Sequence, residues 1–151
     1  MNKDRIRERV VRIIAATRFP FVDQEDWPDD YATITNESER RRGVGSQGDR
    51  VYPSIIIVDG RDRVREIGEV EDEDSVTEAQ VAKWKRLSKE TGMGRRTKKF
   101  FLYVPKGKEK VAEKLLESNN ISYAGLRTWA IKGGNLAITP IKTPDEPKDH
   151  R

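Results

Sequence analysis

At 151 residues the chain has the length of one domain, able to bury roughly two thirds of the surface that its unfolded form exposes. Charged residues make up 37% and hydrophobic ones 34%, so the core must be compact and the surface strongly ionic. There is no cysteine and the single His150 lies in a polar tail, which excludes disulfides, thiolate metal sites and imidazole-based triads or zinc centres. No apolar run approaches membrane-spanning length, so a soluble, cytoplasmic protein with no membrane partner is expected.

Net charge is only +4, but the signs are segregated. Residues 66–78 hold acids and no base, whereas 83–99 hold eight bases against Glu90 alone. A basic block of this kind suits a polyanionic partner such as DNA or RNA; a solvated, charge-rich surface is the alternative.

Along the chain, Ile6, Val10, Ile13, Ile14 and Thr17 recur at three-to-four spacing and predict an amphipathic helix over 4–17. Phe19-Pro20 ends it, because the residue before a proline is pushed out of the helical region. Trp27-Pro28-Asp29-Asp30 reads as a turn and 31–35 as a short strand. Residues 36–50, with Arg40-Arg41-Arg42 and three glycines, read as a mobile loop whose arginines are open to phosphate contact or simply solvated.

The unbroken run Ile55-Ile56-Ile57-Val58 suits a strand covered on both faces. Asp59-Gly60 then signals a hairpin. A two-residue loop, Gly60-Arg61, sets Asp59 opposite Asp62, Val58 opposite Arg63 and Ser54 opposite Ile67. With side chains alternating every second residue, Ser54, Ile67, Glu69 and Glu71 share one face, and Asp59 falls on the other.

The next helix opens on Ser75-Val76-Thr77-Glu78, a capping-box pattern with Ser75 as the cap. Val76, Ala79, Trp84 and Leu87 mark its inward stripe, with Gln80 as a polar member aimed at the carboxylates or lying at the stripe's edge. Lys83, Lys85, Arg86 and Lys89 fan round the rest. Residues 100–104 form another buried strand, 108–118 a helix, 123–131 a strand parallel to the one before it, and 136–141 a last strand whose edge leaves a homodimer open. A polar tail over 143–151 is expected to be disordered, leaving 1–142 as one domain.

Helix, strands, a hairpin ending in acids, helix, strand: over roughly residues 4–131 this order resembles the restriction-endonuclease-like fold of the PD-(D/E)xK nuclease superfamily. The implied fold class is α/β, a central mixed sheet flanked by helices. In that family a Pro-Asp opens the first hairpin strand, an acid-x-Lys closes the second, and a glutamine often stands on the following helix. Here the matching positions are Pro53-Ser54, Glu69-Val70-Glu71 and Gln80, and Glu8 matches the place of an additional acid in some members. Ser54 replaces the metal-binding aspartate and Glu71 the lysine.

The resemblance implies Mg²⁺ (or Mn²⁺), if the protein is active, held by Glu69 and Glu71 with Glu8 or Asp49. Gln80 would orient a ligand or water, making Glu69, Glu71 and Gln80 the candidate catalytic set. Lys83, Lys85, Arg86, Lys89, Arg95 and Arg96 would hold the nucleic-acid backbone. Three functions stay open: metal-dependent phosphodiester hydrolysis of DNA or RNA, nucleic-acid binding without catalysis, and a partner-binding scaffold module.

Overall fold

The apolar run Ile55–Val58 forms a strand buried along its whole length, one place in from the edge of the sheet. The computed structural model describes residues 3–19, 29–46, 48–91 and 99–144. Arg95, Arg96, part of the turn expected at 27–30 and the tail from 145 onward lie outside them. Helix α1 spans Lys3–Arg18. The six strands are β1 (Ala32–Thr35), β2 (Ile55–Val58), β3 (Val64–Val70), β4 (Phe100–Pro105), β5 (Gly125–Lys132) and β6 (Asn135–Lys142). Helix α2 is Val81–Glu90 and α3 is Glu109–Ser118.

The strands form one sheet in the order β1-β2-β3-β4-β5-β6. β1, β2 and β3 make an antiparallel meander, β3-β4 and β4-β5 pair parallel, and β6 returns antiparallel to close the far edge. Parallel pairing needs a crossover, which α2 supplies between β3 and β4 and α3 between β4 and β5. The architecture is therefore α/β, a six-stranded mixed sheet flanked by helices. Among the described residues no helix is long and apolar enough to cross a membrane.

Every residue of β2 is buried, because the sheet is covered on both sides. Val10, Val11 and Ile14 of α1 pack with Ile55, Ile57, Val70, Phe101 and Tyr103 on one face. Trp84 and Leu87 of α2 and Ala112 and Leu116 of α3 pack with Ile56, Val58, Ile67, Leu102 and Leu126 on the other. Each fully buried Ile, Leu or Phe here contributes about 1.5–3 kcal/mol. Phe19, just past α1, meets Phe101 edge-on at 5.8 Å. Gly68 in β3 is small for that reason: a Cβ there would lie 3.2 Å from the Phe19 ring.

The hairpin differs from the two-residue loop that Asp-Gly suggests. Its loop has three residues, Gly60-Arg61-Asp62, closed by Asp59 N–H donating to Arg63 O at 3.0 Å, with Asp62 in the left-handed region at φ 59°. An irregularity between Ile57 and Val58 adds a second slip, giving Val58↔Val64, Ile57↔Glu66 and Ile55↔Gly68. Each slip alone turns the strand's side chains to the wrong face, and the two together restore it. Ser54, Ile67, Glu69 and Glu71 keep their common side, but Ser54 now meets Glu69 in place of Ile67.

Two other expectations give way. Ser75 does not cap the helix, which starts later, through a single 3₁₀ turn over Glu78–Gln80 with no side-chain cap bond; the Ser75 hydroxyl is taken by a stronger partner, described below. Residues 36–50, expected to be mobile, contain a buried anchor. Asn36 donates from its amide to Arg42 O and Pro53 O and accepts from the Arg41 and Arg42 backbone N–H groups. Val44, buried, bridges to Val51.

Candidate functional site

Where β2 begins and β3 ends stand two buried carboxylates, Glu69 and Glu71, with a third, half-buried one, Glu37, near by. Glu69 is fully buried. Its Oε1 accepts from Ser54 N–H at 2.8 Å and Ser54 Oγ at 2.9 Å, while Oε2 pairs with Lys83 Nζ at 2.6 Å. The Ser54 hydroxyl in turn accepts from Val70 N–H. Ser54, a neutral side chain, thus works as a donor to the neighbouring acid, and the cation comes from the helix.

Glu71 is enclosed by side-chain donors. Ser75 Oγ (2.8 Å) and Gln80 Nε2 (3.0 Å) reach Oε1, and Gln80 Nε2 (2.9 Å) and Trp84 Nε1 (2.7 Å) reach Oε2. Its backbone is held by Tyr103 O and Trp129 Nε1. Burial, with the charge of Glu69 added, pushes this carboxyl up to about 7 against the pull of Trp84, Ser75 and Gln80. Ser75 is no helix cap because its hydroxyl is engaged in both directions: it donates to the Glu71 carboxyl and accepts from Asp72 N–H at 2.9 Å, so it does not accept from the first N–H groups of the helix.

Glu37, just past β1, is the third acid. It pairs with Arg7 of α1 at 3.1 Å, and its carboxyl is raised by burial first, with Arg7 opposing and the charge of Glu69 adding to the rise. Beside it opens a polar cavity of about 470 Å³ lined by Arg7, Glu37, Glu39, Arg40, Arg50, Tyr52 and Lys83, among others. The loop is fastened to helix α2 by an ion pair between Arg86 and Asp49.

The predicted residues therefore separate into groups. Ser54, Glu69, Glu71, Gln80 and Lys83 form one network; Lys83, expected on nucleic acid, is committed to Glu69, and Arg86 to Asp49. Lys85 and Lys89 are exposed on α2. Glu8 is not among the described residues lining the cavity, where its neighbour Arg7 stands instead. Asp49 turns to Ser46 and Arg86. Asp59 is buried near the hairpin turn, clamped by the Arg61 and Arg63 backbones and the Arg63 and Arg65 guanidiniums. Sequence reasoning missed Arg7, Glu37 and Ser75; the burial of Glu37 beside a strand end has no local pattern to betray it.

The donor set does not fit a magnesium or manganese ion. Such hard cations need one or two carboxylates with free oxygens besides their waters, whereas Glu71 is saturated by three donor side chains, Glu69 holds Lys83 and Ser54, and Ser54 adds no charge. Among the described residues no group of three or more acidic, histidine or cysteine side chains is arranged to hold a metal ion. No protein-family model, curated protein or solved structure matches the chain.

Proposed function

We propose that the chain is a nuclease-like protein of the PD-(D/E)xK type that binds DNA or RNA without cleaving it, its acidic site being neutralised from within. The observation that carries this reading is the Lys83–Glu69 pair, an ammonium of the chain's own standing against the buried acid that a nuclease would offer to its metal. Supporting it are the order of helix, antiparallel meander, helix and parallel strand, the meeting of Ser54 with Glu69, and the bond from Gln80 to Glu71. The nucleic-acid half of the reading rests on Lys85 and Lys89, exposed on α2, and on the arginine loop that Arg86 ties to that helix.

Phosphodiester hydrolysis with Mg²⁺ or Mn²⁺ is the competing reading, and Lys83 is also what favours it. An ammonium beside Glu69 supplies from the helix what the motif lysine would supply from the strand. Hydrolysis then requires Glu69 to share or surrender Lys83 when the ion enters.

The test is a labelled DNA or RNA oligonucleotide titrated at low salt, with and without millimolar Mg²⁺ or Mn²⁺. The expected result is salt-sensitive binding, weakened by Lys85→Glu with Lys89→Glu, and no cleavage in either metal. Cleavage abolished by Glu69→Ala would transfer the assignment to hydrolysis. No affinity for either nucleic acid at low ionic strength would sink the binding reading and leave the scaffold role.

A further inference from the structure

The cavity beside Glu37 is built around an arginine–tyrosine shelf that the carboxylate network does not use. Arg40 lies over the Tyr52 ring, its guanidinium carbon 5.1 Å from the centroid. Arg50 and Tyr52 both close on Gly43. A Cβ at Gly43 would fall 2.6 Å from Cγ of Arg50 and 3.0 Å from Cε1 of Tyr52, so only glycine lets both side chains settle there. Arg42 pins this turn by reaching the Gly43 carbonyl and Asp62.

The charges lining the cavity are not equivalent. Arg7 is spent on Glu37, Lys83 on Glu69, and Glu39 on Arg41. Among the described residues this leaves Arg40 and Arg50 as the lining cations without a carboxylate partner. Two guanidiniums without a carboxylate partner match the oxygens of a phosphate, and the Tyr52 ring that lines the same cavity suits a planar base. A volume of about 470 Å³ lies within the range of small-ligand pockets and has room for one nucleotide.

We infer that this cavity binds a single phosphorylated nucleotide, either free or at the end of a strand. Arg40 and Arg50 grip its phosphate and Tyr52 stacks on its base. The strand-end form rests on the nucleic-acid reading above; the free-nucleotide form does not.

The experiment pairs two probes. Strands identical except for a phosphate or a hydroxyl at one end, tested at each end in turn, are titrated by fluorescence anisotropy, and adenosine monophosphate is followed by thermal shift. The phosphorylated strand is expected to bind about tenfold tighter, the worth of one to two charge-assisted hydrogen bonds. That preference should vanish in Arg50→Gln and Tyr52→Ala and persist in Lys89→Gln, which lies outside the cavity. Stabilisation by the mononucleotide, lost in Arg50→Gln, without any end preference would identify the free nucleotide as ligand. Equal affinity for both ends and no mononucleotide response would overturn the pocket, while leaving salt-sensitive strand binding intact. A mononucleotide response without strand binding would retain the pocket and remove the nucleic-acid reading.

Discussion

Glu71 is a carboxyl whose surroundings supply hydrogen bonds but no cation of its own. Burial and the nearby Glu69 charge lift it from 4.5 to about 7. An acid raised on folding holds its proton more tightly in the native chain. The stability it contributes is therefore fully present below pH 4.5 and is lost as pH rises through about 7. Between pH 5 and pH 8 the loss is on the order of 3 kcal/mol. Thermal unfolding followed across that window should show a falling midpoint, with Glu71→Gln flattening most of the slope. A residual slope of the same sign is expected from Glu37, whose carboxyl is raised by burial too. An unchanged slope in Glu71→Gln would show that Glu71 is solvated and ordinary.

Lys83 makes the matching argument for Glu69. Its side chain is 25% exposed while that of Glu69 is fully buried, so Lys83→Met strands the acid more than it frees the base. The single variant should cost about 2 kcal/mol in chemical denaturation, discounted for the wet side of the pair. Adding Glu69→Gln should recover most of that cost, because the stranded charge is then gone. Equal losses from the single and double variants would mean that the pair is not an internal counter-ion. Two neighbouring acids on one face already point to a raised pKa or a basic partner. That both occur, with the partner coming from a helix twelve or more residues on, depends on a close approach that no local pattern encodes.

At the scale of elements, the hairpin was legible in kind and misleading in detail. Asp59-Gly60 marks the turn, but Asp62 tolerates the left-handed conformation nearly as well as the glycine does, so a three-residue loop competes with the two-residue one. The face assignment survived because the loop slip and the bulge compensate, a cancellation invisible in residue types. The start of α2 departs from the capping-box pattern for a different reason: the Ser75 hydroxyl donates to the buried Glu71 and accepts from Asp72 N–H, which takes the acceptor role that a cap needs. The 36–50 segment looks mobile by composition because its fixed point is a single buried amide. Asn36→Ala leaves two backbone N–H groups and two carbonyls without that partner and should cost about 2 kcal/mol or more. Limited proteolysis between residues 38 and 50 should accelerate in the variant and not in Ser38→Ala; equal rates would show that the loop is held elsewhere.

For the whole molecule, alternation, apolar runs and helix stripes were enough to give the α/β order, since each element's period follows from which faces it buries. What they did not give is the surface charge. Among the described residues Asp59, Glu66, Glu69 and Glu71 are buried, against Arg127 as the buried base. The face presented to a partner is thus more cationic than a net charge of +4 suggests. Lys85 and Lys89 stand on α2, and Arg40 and Arg50 on the loop that the Arg86–Asp49 pair holds beside that helix. If these four meet phosphates of a single strand, the logarithm of affinity should fall with the logarithm of salt at a slope of about −3. Lys85→Glu with Lys89→Glu removes two of the contacts and should bring the slope nearer zero by roughly one to two units. Arg50→Gln should take away only a fraction of one unit, yet, unlike the α2 pair, it should erase the preference for a phosphorylated end. A slope unaffected by the α2 pair would place the strand on another face, and a slope near zero in the unaltered protein would mean that its excess of exposed cations serves solubility, not a polyanion.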